Sequence, residues 1–480
     1  MKHFLLRTLV LLIAISASGQ KIFKSIEITE KKGLNSVKNI QAIENPNNNE
    51  LVIIAQDNRY AYSYLYDSER NLKSKLRAKK SNRNFQNIGY SVADGAVRIV
   101  QKDDNGYNYA SVIYDFEADE YSETLNPIDG KHYKYITTFN KDDNTYIYLV
   151  KKKTSTLKII TVNIDGRFSF QEIDLQPLFD KNYDDGTTLY EVLRVSEALA
   201  YKVSMVKVDP DLPTFIEIAS QVNKMYKHNE GFIWSFDGDK EHTLLLEFEE
   251  AKRTPNLKKV GKLDFGIDDF SLKSNSFLYY PNIYQITSSN TKMGARVINY
   301  DSGKELKTIE LEKDDSITFK NTPIIQSNER NPEEERVMEK TSKLLRKMSG
   351  NQNGIAAFKY KDGYQLTIGG IQNNAMRSII GAAVSFGPGG FSLTAGLNPG
   401  QVMFNLMSLE TASVRIECLF DSDFNHIDDE IKDSTFDLIK DYTFKSDNTS
   451  ANNLFYIDGK LVFGIYYINE NKINFYEFDL

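Results

Sequence analysis

Residues 61–67 read AYSYLYD, an alternating run of small and aromatic residues closed by an acid. The unit returns as Ser111-VIY-Asp115, Ile160-TVNI-Asp165, Thr243-LLLEF-Glu249, Ala295-RVINY-Asp301, Val414-RIECLF-Asp421 and Ile473-NFYEF-Asp479. A period of two places alternate side chains on one face, so each unit predicts a β-strand. In the sixth, Val414, Ile416, Cys418 and Phe420 share that face. The closing acid suits a turn, because its carboxylate accepts from the backbone two residues on. Self-similarity of this kind marks a repeat architecture.

Seven such units predict an all-β chain, a seven-bladed β-propeller of four-stranded antiparallel blades. Each marked strand would be the third from the axis. The first blade then runs through Val37–Glu44, Glu50–Gln56, Ala61–Tyr66 and Lys73–Arg77. After the seventh unit only Leu480 remains, so no fourth strand follows. Ile22-FKSIEIT is alternating and otherwise unassigned. It is expected to pair beside Ile473–Phe478, closing the ring and covering an exposed strand edge.

The spacing breaks at three insertions: two long loops, 176–221 and 372–411, and 312–353, which carries a helix. In the first, Leu189, Val192, Leu193, Ser196 and Leu199 have partial helical spacing. The alternative is an eighth, irregular blade with Tyr201–Val208 as its third strand. In the second, Asn331 to Gly350 predicts one α-helix. Asn331 is a good N-cap, Pro332 suits the first helical position and Glu334 completes a capping box. Val337, Thr341, Leu344, Leu345 and Met348 form its apolar stripe. The third has no charged residue between Arg377 and Glu410. Its glycines and prolines exclude a continuous helix. Phe386, Phe391, Met403 and Phe404 give it apolar weight. It is either a hairpin extension folded over the blades or a contact surface for a protein or lipid partner. Strand alternation sends all three insertions from the same face, and repeat proteins concentrate insertions on a binding face.

Residues 1–19 have a basic start, an apolar run from Leu9 to Ile15 and small residues at Ala17 and Gly19. They read as a secretory signal peptide, leaving 20–480 as one exported domain in the periplasm, on the cell surface or secreted. The apolar run is too short to span a bilayer. Cys418 is the one cysteine, so no intramolecular disulfide forms. A net charge of −7 without a long basic stripe argues against nucleic acid. His132, His228, His242 and His426 lie outside any zinc-binding spacing. Residues 421–430, DSDFNHIDDE, begin like a calcium loop, but His426 replaces the tight-turn glycine and Lys432 the bidentate glutamate. Asp421, Asp423, Asn425 and Asp429 are candidate ligands for a weak cation site; the alternative is a long acidic hairpin turn.

Residues 231–248, GFIWSFDGDKEHTLLLEF, resemble the strand–turn–strand of TolB-like propellers, without the proline of that motif. Val208-DPDLPTFIEIASQVNKMY and Tyr364-QLTIGG are similar to stretches of uncharacterised exported β-propeller proteins, distantly WD40-like in architecture. The resemblance implies a fold and no activity. The expected function is a non-catalytic exported propeller that binds an envelope or extracellular protein through its inserted face. The alternative is a hydrolase with acids and His132 or His228 meeting at the axis. No catalytic residue and no cofactor beyond calcium is assigned.

Overall fold

The computed structural model describes residues 21–28, 36–81, 85–103, 105–141, 143–183, 185–197, 200–203, 205–229, 231–248, 255–265, 272–327, 335–350, 352–371, 412–444, 448–457 and 459–479. The expected signal peptide and the uncharged segment with Phe386, Phe391, Met403 and Phe404 lie outside these residues.

The chain is all-β, and the described residues form seven sheets of four or five strands. Sheet 1 is β2 (Asn39–Glu44), β3 (Leu51–Gln56), β4 (Tyr60–Tyr66) and β5 (Leu72–Lys79). Sheet 2 is β6 (Phe85–Ala93), β7 (Ala96–Asp103), β8 (Asn108–Asp115) and β9 (Glu120–Pro127). Sheet 3 is β10 (Tyr133–Lys141), β11 (Asn144–Lys151), β12 (Thr156–Val162) and β13 (Phe168–Asp174). A hairpin of β14 (Arg194–Glu197) and β15 (Ala200–Val203) follows. Sheet 4 is β16 (Val206–Val208), β17 (Asn223–His228), β18 (Gly231–Phe236), β19 (His242–Phe248) and β20 (Asn256–Gly261), with β16 parallel to β17. Sheet 5 is β21 (Lys273–Tyr279), β22 (Asn282–Ser288), β23 (Lys292–Asn299) and β24 (Glu305–Glu312). Sheet 6 holds β25 (Ile324–Gln326), β26 (Arg336–Met338), β27 (Gln352–Tyr360), β28 (Gly363–Ile371) and β29 (Ser413–Phe420). Sheet 7 is β30 (Thr449–Ile457), β31 (Lys460–Tyr467) and β32 (Lys472–Asp479), completed by β1 (Ile22–Glu27).

The seven marked units are β4, β8, β12, β19, β23, β29 and β32, each third in its sheet when counted from β2, β6, β10, β17, β21, β27 and β30. Second strands such as LVIIAQ (β3) and GFIWSF (β18) are buried along their whole length. Fourth strands such as β9 and β13 are largely exposed and polar, which protects their edges from further pairing. β1 runs antiparallel to β32, with Ile26 opposite Ile473, in the pairing expected for the chain's first strand.

Two compact units divide the chain: Met1–Ser81 with Asp433–Leu480, and Asn82–Lys432. In the first, Ile26, Ile28, Ile53, Tyr64, Val462 and Phe475 belong to one core shared by sheets 1 and 7. In the second, Trp234 is fully buried among Tyr148, Phe232 and Phe248 between sheets 3 and 4.

Three expectations need correction. The insertion at 176–221 is not a loop: it contains α1 (Gln176–Asp180), α2 (Leu189–Leu193), the β14–β15 hairpin, β16 and α3 (Ile216–Ala219). Phe179, Leu189 and Leu193 of its helices join the Trp234 core, which is why the segment folds. The long helix from Asn331 is shorter. Arg336–Met338 is strand β26, and helix α4 runs only over Thr341–Ser349 after Lys340 at the N-cap. Leu344, Leu345 and Met348 are buried as the stripe requires, but Val337 is 60% exposed. Pairing of Ile325 with Val337 holds this stretch extended, overriding helical propensity. Finally, no fourth strand for sheet 6 follows the sixth unit within residues 421–434. The outer side of β29 is covered by β25, which precedes the sheet in sequence, and residues 421–434 lead to helix α5 (Thr435–Phe444).

Candidate functional site

The acidic stretch is a built turn. Asp421 Oδ1 accepts from the backbone N–H of Asp423 at 2.9 Å and of Asn425 at 2.8 Å, and Oδ2 accepts from the Asn425 amide at 3.1 Å. These donors hold the Asp421 carboxyl below the usual range. Asp429 instead accepts from Tyr360 at 2.8 Å and Lys361 at 2.7 Å, and these hydrogen bonds, Lys361 foremost, take it down to about 2. Asp421 and Asp429 thus answer to two different sets of protein donors, with Asp423 and Asn425 donating to Asp421. Among the described residues, no group of three or more histidine, cysteine or acidic side chains is arranged to hold a metal ion.

The same capping recurs at Asp67, which accepts from Asn71 N–H at 2.8 Å, and at Asp115, from Ala118 N–H at 2.9 Å. In two units the cap is not the marked acid but the asparagine two residues before it. Asn163 accepts from Arg167 N–H and Asn299 from Ser302 N–H. The strands there end earlier, at Val162 and Asn299, so Asp165 and Asp301 lie within or beyond the turn.

Cys418 is fully buried and burial pushes its thiol far above the usual range, which makes it a core side chain. His132 Nδ1 lies 2.6 Å from Asp129 Oδ2 in an exposed turn. His228 has other neighbours: Glu247 Oε1 at 3.6 Å and the Tyr280 ring at 4.6 Å. Each histidine thus answers to its own local partners.

One extended polar network among the described residues was missed by sequence reasoning. Asp237, just after β18 in the WSFDG stretch, is buried with two lysines. Its Oδ1 accepts from Thr243 at 2.8 Å and its Oδ2 from Ser276 at 2.9 Å. Lys224 Nζ stands 3.3 Å from Oδ2, and Lys262 Nζ 3.6 Å from Oδ1. Lys224 also donates to Asn275 Oδ1 at 2.8 Å and to the Gln221 carbonyl. Lys262 donates to the carbonyls of Asp237 at 2.9 Å and Asp239 at 2.6 Å. Asn275 passes the chain on to Asn353 O at 3.0 Å, and Asn353 to Ser288 at 3.0 Å. Burial opposes the Asp237 charge, but the two ammoniums and the hydroxyl donors outweigh it and keep the carboxyl low. Burial takes Lys224 down to about 8 despite that partner. Both remain charged at neutral pH. The network stitches sheets 4, 5 and 6 together where β17, β21 and β27 begin and β18 and β22 end. The available signal was Lys224 itself, a charge inside the strand NKMYKH.

At this end the first insertion is packed tightly. A side-chain carbon at Gly354 would lie 2.5 Å from Ser220 Oγ and 2.8 Å from its nitrogen, so only glycine lets β27 approach the turn after α3. On the rim of sheets 4 and 5, a cleft of about 330 Å³ is lined by Lys258, Lys262 and Arg296 with Ile283 and Ile298. Its cations are tied down. Lys258 donates to the Tyr300 carbonyl, and Arg296 Nη2 to Gln285 Oε1 at 2.7 Å. Lys262 is shared with the Asp237 network.

No known family matches the chain, and no curated protein sequence does. Among solved structures, the chain is similar to the Dos1 propeller, with 11% identity over 95% of each chain and a TM-score of 0.31. It is similar to dihydro-heme d1 dehydrogenase NirN at 9% identity over 60% of this chain and 49% of that one, with a TM-score of 0.29. Prolyl oligopeptidase B from Galerina marginata matches at 10% identity over 70% of this chain and 47% of that one, with a TM-score of 0.27. The chain thus spans about half the length of the last two.

Proposed function

We propose that the protein is an exported seven-bladed propeller that binds a protein partner through the end of the sheets carrying its insertions. The carrying observation is where the additions enter. Residues 175–222 join the outer strand β13 to β17, and residues 313–351 join the outer strand β24 to β27. Residues 372–412 join β28 to β29. In an antiparallel four-stranded sheet these connections leave from one end. That end is stiffened in sheets 4 to 6 by the Asp237 network, which suits a platform for recognition. Phe386, Phe391, Met403 and Phe404 supply the apolar anchors of the contact in this reading. A membrane contact through 378–409 is the other outcome to be tested.

The test is photo-crosslinking in the native cell. A photoreactive residue at position 391 or 404 should trap one discrete protein partner, and the same residue at exposed Leu125 on β9 should not. Replacing 378–400 by a short Gly/Ser linker should abolish the crosslink at 404. Crosslinks to lipid alone, or equal trapping at Leu125, would overturn the reading.

A further inference from the structure

The cleft on the rim of sheets 4 and 5 carries an unbalanced charge. Lys258, Lys259, Lys262 and Arg296 line it, and no acidic residue does. All four cations are positioned by the protein, yet mostly by neutral acceptors. Lys258 Nζ donates to the Tyr300 carbonyl and stands 4.7 Å from the centre of that ring. Lys259 donates to Asn182 O at 3.0 Å. Arg296 spends Nε and Nη2 on Gln285 Oε1, at 3.2 and 2.7 Å, and Nη2 also donates to Gly261 O. A carbonyl or amide oxygen orients a cation without cancelling its charge.

Among the described residues two carboxylates form ion pairs with these cations. Asp237 lies 3.6 Å from Lys262 but also 3.3 Å from Lys224, so one negative charge answers two ammoniums. Glu305 Oε2 lies 3.8 Å from Arg296 Nη1, too far for a hydrogen bond, and its side chain is 54% exposed, so water screens the pair. Arg296 Nη1 therefore keeps its N–H groups for a ligand, and Lys258 has given only one of its three protons. Val260, Ile283 and Ile298 add an apolar wall. The volume of about 330 Å³ falls at the small end of ligand sites.

We propose that this cleft binds small organic oxyanions, with a carboxylate or phosphate group on Arg296 and Lys258 and a short apolar group against Val260, Ile283 and Ile298. Charge-assisted hydrogen bonds from Nη1 and Nζ supply the strong contacts. The cations are already held in place, so little ordering is needed when the anion arrives. The apolar wall gives an organic anion a contact that a bare inorganic ion lacks.

The experiment titrates the intact protein by calorimetry with phenyl phosphate, benzoate, inorganic phosphate and benzyl alcohol. At least one of the first two should saturate a single site about tenfold more tightly than inorganic phosphate, and benzyl alcohol should not saturate it. Lys258→Gln and Arg296→Gln should each weaken binding about tenfold, the loss expected for one charge-assisted hydrogen bond. A third variant guards against misfolding. A side-chain carbon at Gly261, on the cleft wall, meets nothing within 4 Å, so Gly261→Glu sets a rival carboxylate beside the cations without displacing a neighbour. It should weaken binding while leaving the melting temperature and the Trp234 emission unchanged. Failure of both organic anions to saturate, equal binding of inorganic phosphate, or unchanged affinity in Gly261→Glu would overturn the proposal.

Discussion

Asp67, Asp115, Asn163, Asn299 and Asp421 perform one task, accepting backbone donors in the turn after a third strand. That task was legible from residue type, since a short oxygen-bearing side chain after an alternating run predicts a capped turn. Its position was less so, because an asparagine two residues early does the same work. Asp237 was not legible as a site. Nothing local says that its oxygens meet Lys224, 13 residues back, and Ser276, 39 residues on. Removing this carboxylate would strand two buried ammoniums, and breaking one side of a buried ion pair costs about 3–5 kcal/mol. Asp237→Ala should therefore lower the unfolding free energy of the second unit, read from its urea titration, by an amount of that order. Thr243→Val, which removes one neutral donor, should cost about 1 kcal/mol. Equal, small effects from both would show that the network is not anchored on Asp237.

At the scale of elements, strands were far easier to read than helices. The first blade's expected segments match β2 to β5 to within two residues at every end, because each is a short apolar or alternating run bounded by turn residues. The helix after Asn331 misled because capping residues and an apolar stripe describe local preference only. Cross-strand pairing of Ile324–Gln326 with Arg336–Met338 decides otherwise. Nor does a pattern reveal that β25 will serve a sheet whose other strands come later in the chain. β1 is the case where counting succeeded. It buries Ile26, and just beyond it Ile28 is fully buried with its N–H donating to Asn471 O at 3.0 Å. Each such side chain contributes about 1.5–3 kcal/mol, and each cross-strand hydrogen bond about 1 kcal/mol. Deleting residues 20–30 should lower the melting temperature sharply and promote aggregation through the bared edge of β32. An unchanged melting curve would mean that β1 is dispensable.

At the scale of the whole molecule, the first unit is built from both ends of the chain. Ser450 donates to Val37 O at 2.7 Å, Ala42 N–H to Asn453 Oδ1 at 3.2 Å, and Ser25 to Asn474 at 2.8 Å. Val37, Ile40 and Leu51 share their core with Phe455, Val462 and Phe475. Sheet 1 is complete in its own strand pairing, yet seven of the seventeen buried residues of that core arrive more than 370 residues later in the sequence. Contacts of such separation carry a large loop-closure cost and form late. In the second unit, Asn82–Lys432, the two cores described, around Trp234 and around Ile160, draw only on residues of that unit. Truncation after Lys432 should therefore act unevenly. Amides of β3 and β4 should lose most of their protection from hydrogen exchange, because a four-stranded sheet without its covering core is only marginally stable. Amides of β18 and β22 should exchange as slowly as in the full chain. If β3 and β4 stay protected, sheet 1 holds itself together without the last 48 residues, and the division into two units misstates where the stability lies.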